Sequence, residues 1–331
     1  MNYRPELDGI RALAILLVIT AHLRFGSWVW LSGHHGVTLF FVLSGFLITS
    51  LLLNEEPRGL SLKRFWLRRV FRLFPLYYLV LALYCVLIFK TPLGIGRAEQ
   101  FAKALPFQAL YFPEVPFFAR PDGAVLPFYH SWSLGIEEKF YLLWPAIAFA
   151  TRYKTHRLAI ALVLCVVCLF AGAPAFPYGA ILAGCVMALL NHRYSIHQRF
   201  GPAICYAAFA VAAVLQLSMA IFPFLQVPYV LTLAVFINTL HNRTVVQRIL
   251  SLPPLVWIGK VSYGIYLIHI LCLNAAGFVT HSPLLNYLAT ITISVAVATV
   301  LHFAIERPLI DYGRKRFRGK VPDPVAQASP I

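Results

Sequence analysis

The fold is decided by the first apolar run, Leu7-Asp8-Gly9-Ile10-Arg11-Ala12-Leu13-Ala14-Ile15-Leu16-Leu17-Val18-Ile19-Thr20-Ala21-His22. Ionisable side chains are costly in a membrane helix and are usually retained for a purpose. On a helix, a rise of about 1.5 Å per residue separates Arg11 from His22 by roughly 16 Å. The unperturbed pKa of histidine, about 6.5, suits a general base or nucleophile at neutral pH. The plainer alternative is that the two side chains simply reach the inner and outer membrane interfaces.

The composition is that of a polytopic membrane protein. Of the 331 residues, 60% are hydrophobic and 12% are charged, and the mean hydropathy is +0.75. Soluble domains have about a quarter of their residues charged, so we predict an all-α bundle of transmembrane helices. No small-residue cleavage site follows the first apolar run, and we therefore expect a retained first span rather than a signal peptide.

Ten apolar runs approach the length of about 20 residues that a helix needs to cross a hydrocarbon core. They are 7–25, 36–53, 74–90, 130–150, 158–173, 175–190, 201–218, 222–240, 261–279 and 284–304. The fifth and sixth runs are short and are joined by Ala171-Gly172-Ala173-Pro174, so they form either one hairpin or a partly re-entrant segment. We predict about ten transmembrane helices.

The positions of the basic residues predict the orientation of these helices. With a cytoplasmic N-terminus, 22 of the 28 Lys and Arg fall on the inner side and six at or near the outer ends. This positive-inside asymmetry favours an even number of spans with both termini in the cytoplasm. Because topology accounts for the net charge of +16, we predict no nucleic-acid partner.

Two segments lie outside the regular spans. The external segment 91–129 is rich in proline and aromatic residues and cannot be one regular helix. It either caps or enters the outer mouth of the bundle, or it is an ordinary connecting loop. The tail 312–331 is basic and then polar, and we predict a disordered cytoplasmic tail after a transmembrane domain that spans 1–311.

The cysteines do not form a recognisable ligand set. All six fall in apolar segments: Cys85, Cys165, Cys168, Cys185, Cys205 and Cys272. We interpret them as small buried hydrophobic residues and predict neither a disulfide framework nor a metal site. Two ionisable residues late in the chain, His269 and Glu306, are interpreted as interhelical contacts rather than catalysts.

A basic and aromatic run precedes the third span. It reads Lys63-Arg64-Phe65-Trp66-Leu67-Arg68-Arg69-Val70-Phe71-Arg72-Leu73-Phe74-Pro75. On a helix, Arg68 and Arg72 share a face. Basic residues interleaved with aromatic ones suit anionic lipid headgroups or a phosphorylated nucleotide ligand, and arginine rather than lysine favours bidentate phosphate contacts. A topology-setting anchor is the plainer alternative.

Polar residues also cluster where the fourth span begins, in Phe128-Tyr129-His130-Ser131-Trp132-Ser133-Leu134-Gly135-Ile136-Glu137-Glu138-Lys139-Phe140-Tyr141. His130, Ser133 and Glu137 recur at helical spacing, which predicts one face carrying an imidazole and a carboxylate. A carboxylate in a membrane helix needs a partner. The candidate partners are His22, His130 and Arg11. The alternative is a polar cluster at the outer interface.

Together these segments resemble the acyltransferase family 3 membrane proteins, which acylate bacterial surface polysaccharides and related glycans. The matching pieces occur in the family's order and cover most of the chain. They are Leu7–Ala12 leading to His22, Gly36–Ile48, Arg68–Pro75, His130–Glu137 and Ile258–Tyr266.

The resemblance implies a ten-span helical fold in the bacterial cytoplasmic (inner) membrane. It also implies transfer of an acyl group, usually acetyl, from cytoplasmic acyl-coenzyme A to a hydroxyl of a glycan or glycolipid at the other face. By the same resemblance, His22 is the catalytic histidine, Arg11 is its companion and Glu137 supports the site. Coenzyme A phosphates would be bound by Arg69 and Arg72, together with Arg68. Supporting residues on the substrate side are His130, Trp132 and Ser133.

The chain departs from the family pattern in two ways. Thr38 stands where an acidic residue is expected before Leu39-Phe40-Phe41, so a role that rests on that carboxylate is not assumed. The extracytoplasmic hydrolase-like domain of some members is absent, and we expect the transfer to finish within the membrane unit or with a separate protein.

Several alternatives to glycan acylation are open from the sequence. The acceptor could be a small molecule or a lipid. The chain could instead be a transporter or flippase that uses Arg11, His22 and Glu137 as a relay, or a non-catalytic scaffold in a glycan-assembly complex. Within the acyltransferase interpretation, His22 acts either as a general base or as an acyl-accepting nucleophile.

Overall fold

A computed structural model describes residues 3–22, 33–119, 126–149, 154–219, 221–240, 244–280 and 282–317. The secondary structure within these ranges is helical, with no β-strand. The α-helices are α1 (Pro5–His22), α2 (Gly33–Glu55), α3 (Leu62–Lys90), α4 (Ala98–Ala109), α5 (Glu114–Phe118), α6 (Trp132–Phe149), α7 (Lys154–Phe170), α8 (Phe176–Tyr194), α9 (Ile196–Arg199), α10 (Pro202–Ser218), α11 (Gln226–Thr239), α12 (Val245–Leu250), α13 (Pro253–Lys260), α14 (Ser262–Val279), α15 (Pro283–Leu301) and α16 (Arg307–Arg316).

Each of the ten predicted apolar runs contains an α-helix. Within the described ranges, four helices are long and apolar enough to cross a membrane: His35–Glu55, Leu62–Lys90, Ser262–Val279 and Pro283–Arg316. The last of these runs without a break through α15, a π-helical turn over 302–306 and α16. The prediction of an all-α membrane protein is therefore confirmed, whereas ten spans and cytoplasmic termini stay predictions.

The chain forms two compact units. The first unit comprises 1–60, 147–298 and 319–331, and the second comprises 61–146 and 299–318. α6 and α15 each contribute residues to both units.

Within the first unit, α1 lies in backbone contact with α12 and α13. A Cβ atom built on Gly259 would lie 1.9 Å from the Asp8 carbonyl oxygen, and one built on Gly9 would lie 2.0 Å from the Leu250 carbonyl oxygen. Only glycine permits so close an approach of two backbones. The two glycines thus fix the position of α1, the helix that carries Arg11 and His22.

The short fifth and sixth runs form a packed hairpin of α7 and α8 in the first unit. The Cys165 thiol lies 3.5 Å from the Gly179 carbonyl oxygen, which joins the two helices. All six cysteines are free thiols. Four of them are buried as predicted, whereas Cys85 and Cys168 are half-buried.

In the second unit, the basic run is part of the third apolar helix rather than a loop before it. Ser61 caps α3 by accepting a hydrogen bond from the Arg64 amide at 3.4 Å. Side-chain capping of this kind satisfies one of the amides that a helix leaves unpaired at its start. The arginines therefore occupy the first three turns of α3, and Pro75 lies inside the same continuous helix.

The segment 91–129, which the sequence predicts to be external, is described up to residue 119 and from residue 126, and it is not an ordinary loop. It contains α4 and α5, and Tyr111 stacks on Phe74 with ring centroids 4.9 Å apart. Lys139 of α6 pairs with Glu114 at 2.6 Å and donates to the Tyr111 carbonyl oxygen at 2.8 Å. The segment is thus packed onto α3 and α6.

The prediction of a disordered tail over 312–331 is wrong for its first residues. Tyr312 lies in α16, and the rings of Tyr312 and Phe317 contact that of Phe71 at 5.4 and 5.8 Å. This apolar contact holds the end of the helix on α3, although the local sequence is strongly basic. Residues 318–331 lie outside the described part of the chain.

Candidate active site

His22 is the last residue of α1, and a backbone carbonyl determines which of its ring nitrogens carries the proton. Its Nδ1 lies 2.7 Å from the carbonyl oxygen of Val18, one helical turn earlier. A carbonyl oxygen only accepts hydrogen bonds, so Nδ1 must carry the proton. In the neutral ring, Nε2 is then the basic nitrogen. A main-chain group therefore sets the tautomer of His22.

A second histidine, His269 of α14, contacts the His22 ring. The two ring centroids are 4.9 Å apart at an interplanar angle of 68°, and the His269 side chain is fully buried. Its Nδ1 lies 2.7 Å from the Tyr266 carbonyl oxygen, which fixes the same tautomer by the same reasoning. His269 is therefore an interhelical contact, as interpreted from the sequence, and it is placed to hold the His22 ring in position.

The argument applied to His22 also singles out His269, which the sequence identifies as an interhelical contact without its partner. Both are imidazoles in apolar helices, where an ionisable group is costly. What the sequence does not contain is their contact, because 247 residues separate them in the chain. A further polar contact lies close to His22: the Thr20 hydroxyl is 3.2 Å from that of Tyr287 on α15.

Arg11 belongs to a separate group at the other end of α1. Its Nη1 donates to Asp8 Oδ1 at 2.9 Å, and the Tyr3 hydroxyl donates to Asp8 Oδ2, also at 2.9 Å. α1 is helical from Pro5 to His22, so the separation of roughly 16 Å between Arg11 and His22 stands. Arg11 pairs with a carboxylate, and its predicted part in catalysis stays a prediction.

In the second unit, Arg69 is packed between aromatic rings. Its guanidinium carbon lies 3.7 Å from the centroid of the Tyr141 ring and 5.3 Å from that of Phe65. The Trp66 indole donates to the Tyr141 carbonyl oxygen at 3.1 Å, which joins α3 to α6. Cation–π contacts of this kind stabilise packing by about 0.5 to 2 kcal/mol. Arg69 therefore stabilises the packing of α3 against α6.

Arg72 lies on the exposed part of α3 and faces acidic groups. It interacts electrostatically with Glu138 and with Glu306, and Glu138 also interacts with Arg69. The buried Glu306 carboxylate accepts a hydrogen bond from His302 at 2.8 Å. Arg68 is half-buried on the same helix. The three predicted phosphate ligands are thus not equivalent, since Arg72 is exposed, whereas Arg68 and Arg69 are half-buried and Arg69 is packed between rings.

Glu138, the neighbour of the predicted Glu137, interacts electrostatically with Arg69 and Arg72. Both glutamates are half-buried on α6. The interaction of Glu138 with α3 depends on the rotation of α6, and sequence spacing alone does not provide that information. The predicted support of the site by Glu137 stays a prediction.

The predicted helical face with His130, Ser133 and Glu137 starts in a 3₁₀ turn rather than in α6 itself. His130 lies in this turn over 129–131, which leads directly into α6 at Trp132, and Phe128 before it has a left-handed backbone with φ of 61°. His130 is buried, and its ring contacts that of Phe128 at 5.2 Å. Ser133 and Glu137 remain one turn apart on α6.

Trp132, the first residue of α6, has a packing contact in the second unit. Its ring stacks on that of Phe117 with centroids 4.8 Å apart. Ser133, next to it, is buried. These residues hold α5 against the start of α6, and their predicted support of a substrate stays a prediction.

Comparison with known proteins assigns a family. The family model described as an acyltransferase domain matches residues 4–303. The chain belongs to this acyltransferase family. All the candidate residues above except Tyr3, Glu306 and the residues of α16 lie within the matched range. A comparison with solved structures gave no match.

Curated relatives of this acyltransferase chain include three O-acetyltransferases. The chain is 34% identical to the peptidoglycan O-acetyltransferase OatA of Listeria monocytogenes, over 81% of this chain and 49% of the relative. It is 31% identical to the O-acetyltransferase OatA of Staphylococcus aureus (96% and 58%) and 29% identical to the putative peptidoglycan O-acetyltransferase YrhL of Bacillus subtilis (97% and 57%). The chain thus spans about half the length of these relatives.

Proposed function

We propose that this acyltransferase is an integral-membrane O-acetyltransferase that moves an acetyl group from cytoplasmic acetyl-coenzyme A to a hydroxyl of a carbohydrate, such as a surface polysaccharide or its precursor. The observation that carries the proposal is the His22 tautomer, in which the bond from Nδ1 to Val18 makes Nε2 the basic nitrogen. The three O-acetyltransferase relatives support the acetyl group and the glycan acceptor.

His22 acts on the acceptor hydroxyl. Nε2 removes the proton while the hydroxyl oxygen attacks the thioester carbonyl carbon, and the C–O bond forms as the C–S bond breaks. The departing thiolate then takes the proton from Nε2, so that the products are the ester and the free thiol. His269 limits rotation of the His22 ring by its edge contact, and fixed orientation of a catalytic group is a large part of catalysis.

Arg72 and Arg68 bind phosphate groups of the donor. A planar guanidinium donates two parallel hydrogen bonds to a phosphate, which lysine does not. Arg72 is exposed, and a phosphate would replace its present attraction to Glu138 and Glu306. Arg69 acts on this site indirectly, because it holds α6 against the helix that carries the other two arginines.

The proposed setting is the bacterial cytoplasmic membrane, with ten spans and both termini inside. The asymmetry of Lys and Arg supports this orientation. It places the run that contains Arg68 and Arg72 at the cytoplasmic side, where acetyl-coenzyme A is available. The glycan acceptor and the surrounding lipids are the expected partners.

Transfer of labelled acetyl groups tests the proposal. Membranes that contain the wild type, His22→Ala, Arg72→Ala or the control His156→Ala are supplied with radiolabelled acetyl-coenzyme A. His156 is an exposed histidine on α7. We expect His22→Ala to abolish labelling of the glycan, Arg72→Ala to raise KM more than it lowers kcat, and the control to match the wild type. Equal labelling by all four would refute the site, and label in the lipid fraction alone would identify a lipid acceptor.

A further inference from the structure

The first unit contains a cavity, lined by both apolar and polar side chains, that the proposed mechanism does not use. Its volume is about 290 Å³. It lies between the C-terminal ends of α2, α8 and α11 and the residue that precedes α1. The polar side chains that line it include Arg4, Ser50, Asn54, Asn191, His192 and Asn238.

Among the described residues that line the cavity, Arg4 is the one whose side chain is always positively charged. Its Nε donates to Glu6 Oε1 at 2.7 Å, and the Glu6 side chain is 4% exposed. Arg4 Nη2 is buried and has no hydrogen-bond partner within the described part of the chain. A buried donor without a partner is costly, so this guanidinium is oriented by one carboxylate while part of its donor capacity is unused.

Hydrogen bonds also hold three asparagine side chains of the lining. The Asn191 amide donates to Asn238 Oδ1, and Asn191 Oδ1 accepts from the His197 backbone amide at 3.0 Å. On α2, Asn54 Nδ2 donates to the Ser50 carbonyl oxygen at 2.7 Å. A lining that is fixed before a ligand arrives loses little conformational freedom on binding.

The chemistry of the lining selects an anion. Among the described residues that line the cavity, one is arginine, two are histidine and none is Asp or Glu. Guanidinium, imidazole and amide N–H groups all donate hydrogen bonds, and phosphate oxygens only accept them. Since a water molecule takes up about 30 Å³ in the liquid, the space suffices for a phosphate and a small attached group.

We propose that this cavity binds the phosphate group of a small phosphorylated ligand, either a soluble phosphate monoester or the headgroup of a phospholipid. The cavity lies at the end of the first unit where the chain starts, which the charge asymmetry predicts to be cytoplasmic. The proposal does not depend on acetyl transfer, because binding is measured without the donor or the acceptor.

Calorimetry on the purified full-length chain in detergent tests the soluble ligand, with glycerol 3-phosphate and inorganic phosphate as probes. We expect binding by the wild type, at least tenfold weaker binding by Arg4→Gln, and unchanged binding by Arg248→Gln. Arg248 is exposed on α12 in the same unit and does not line the cavity, so its substitution is a control for the loss of one positive charge.

Arg4→Gln leaves the buried Glu6 carboxylate unpaired and so risks unfolding. Asn54→Asp keeps the pair of Arg4 with Glu6 and adds a carboxylate to the lining, which should repel a phosphate and weaken binding at least tenfold. Circular dichroism checks that the variant is folded. If folded Asn54→Asp bound glycerol 3-phosphate as the wild type does, the cavity would not be the site.

Native mass spectrometry tests the lipid source. A phospholipid retained by the wild type and by Arg248→Gln but lost from Asn54→Asp would identify a headgroup as the ligand. Loss of glycerol 3-phosphate binding in Asn54→Asp would identify a soluble monoester, and both effects together would show that the site accepts either. The proposal is overturned if the wild type binds neither probe and Asn54→Asp retains the same lipids as the wild type.

Discussion

Gly259→Ala is the substitution that best tests how the first unit positions α1. The added Cβ would lie 1.9 Å from the Asp8 carbonyl oxygen, whereas real Cβ contacts almost never fall below 3.0 Å. The two backbones must therefore separate by about 1.1 Å, because neither partner in the clash is a flexible side chain. Overpacking of this kind costs about 1 to 3 kcal/mol. It also displaces the helix that carries Arg11 and His22.

We expect Gly259→Ala to lower acetyl transfer by about 100-fold, since a misplacement of about 1 Å can cost that much. Gly277→Ala is the matched control: its Cβ would meet only the Asn286 amide nitrogen at 3.6 Å, an ordinary contact. In a helix, the change from glycine to alanine stabilises by about 1 kcal/mol, so this variant should be as stable as the wild type or more stable. Acetyl transfer and thermal unfolding in detergent measure both effects. Wild-type activity and stability in Gly259→Ala would refute the close packing of α1 on α13.

Three further predictions concern single residues. Removal of the edge contact to His22 in His269→Asn should lower kcat about tenfold or more and leave KM nearly unchanged, with His156→Asn as the control; an equal rise in KM would contradict a positioning role. Arg69→Lys should lose about 1 to 2 kcal/mol of unfolding free energy in detergent, because lysine cannot stack on Tyr141, whereas Arg97→Lys, an exposed change in the same unit, should lose nothing measurable. Acid quenching during turnover with labelled acetyl-coenzyme A should yield no labelled protein, and label recovered on a His22 peptide would instead establish a covalent intermediate.

The helices were predictable from the sequence because their signal is local. The ten apolar runs alone located a helix each. The observed helix boundaries differ from the predicted ones mainly where polar segments are also helical. α3 begins at Leu62 rather than near residue 74, because arginine is a good helix former and Ser61 caps the start. The tail residues 312–316 are helical because Tyr312 and Phe317 pack on Phe71, a contact that sequence charge does not indicate.

The site was predictable residue by residue, but its contacts were not. The sequence identifies His22 and the arginines of α3 as unusual groups. It does not contain the rotation of α6, which brings Glu138 near Arg69, nor the left-handed backbone at Phe128 and the 3₁₀ turn after it that carries His130. Each of these depends on how helices pack. The contact of His22 with His269 is of the same kind, since it joins distant parts of the chain.

The backbone partner of His22 favours direct transfer over a covalent intermediate. If Nε2 accepted the acetyl group while Nδ1 kept its proton, the ring would become a cation, and the neutral Val18 carbonyl oxygen is a much weaker base than a carboxylate. A cation without a charged partner is costly in apolar surroundings. In the general-base route the ring is also a cation once Nε2 has taken the proton, but only until the departing thiolate removes that proton within the same transfer. We therefore expect the Val18 carbonyl oxygen to favour the route in which the cation is shorter-lived.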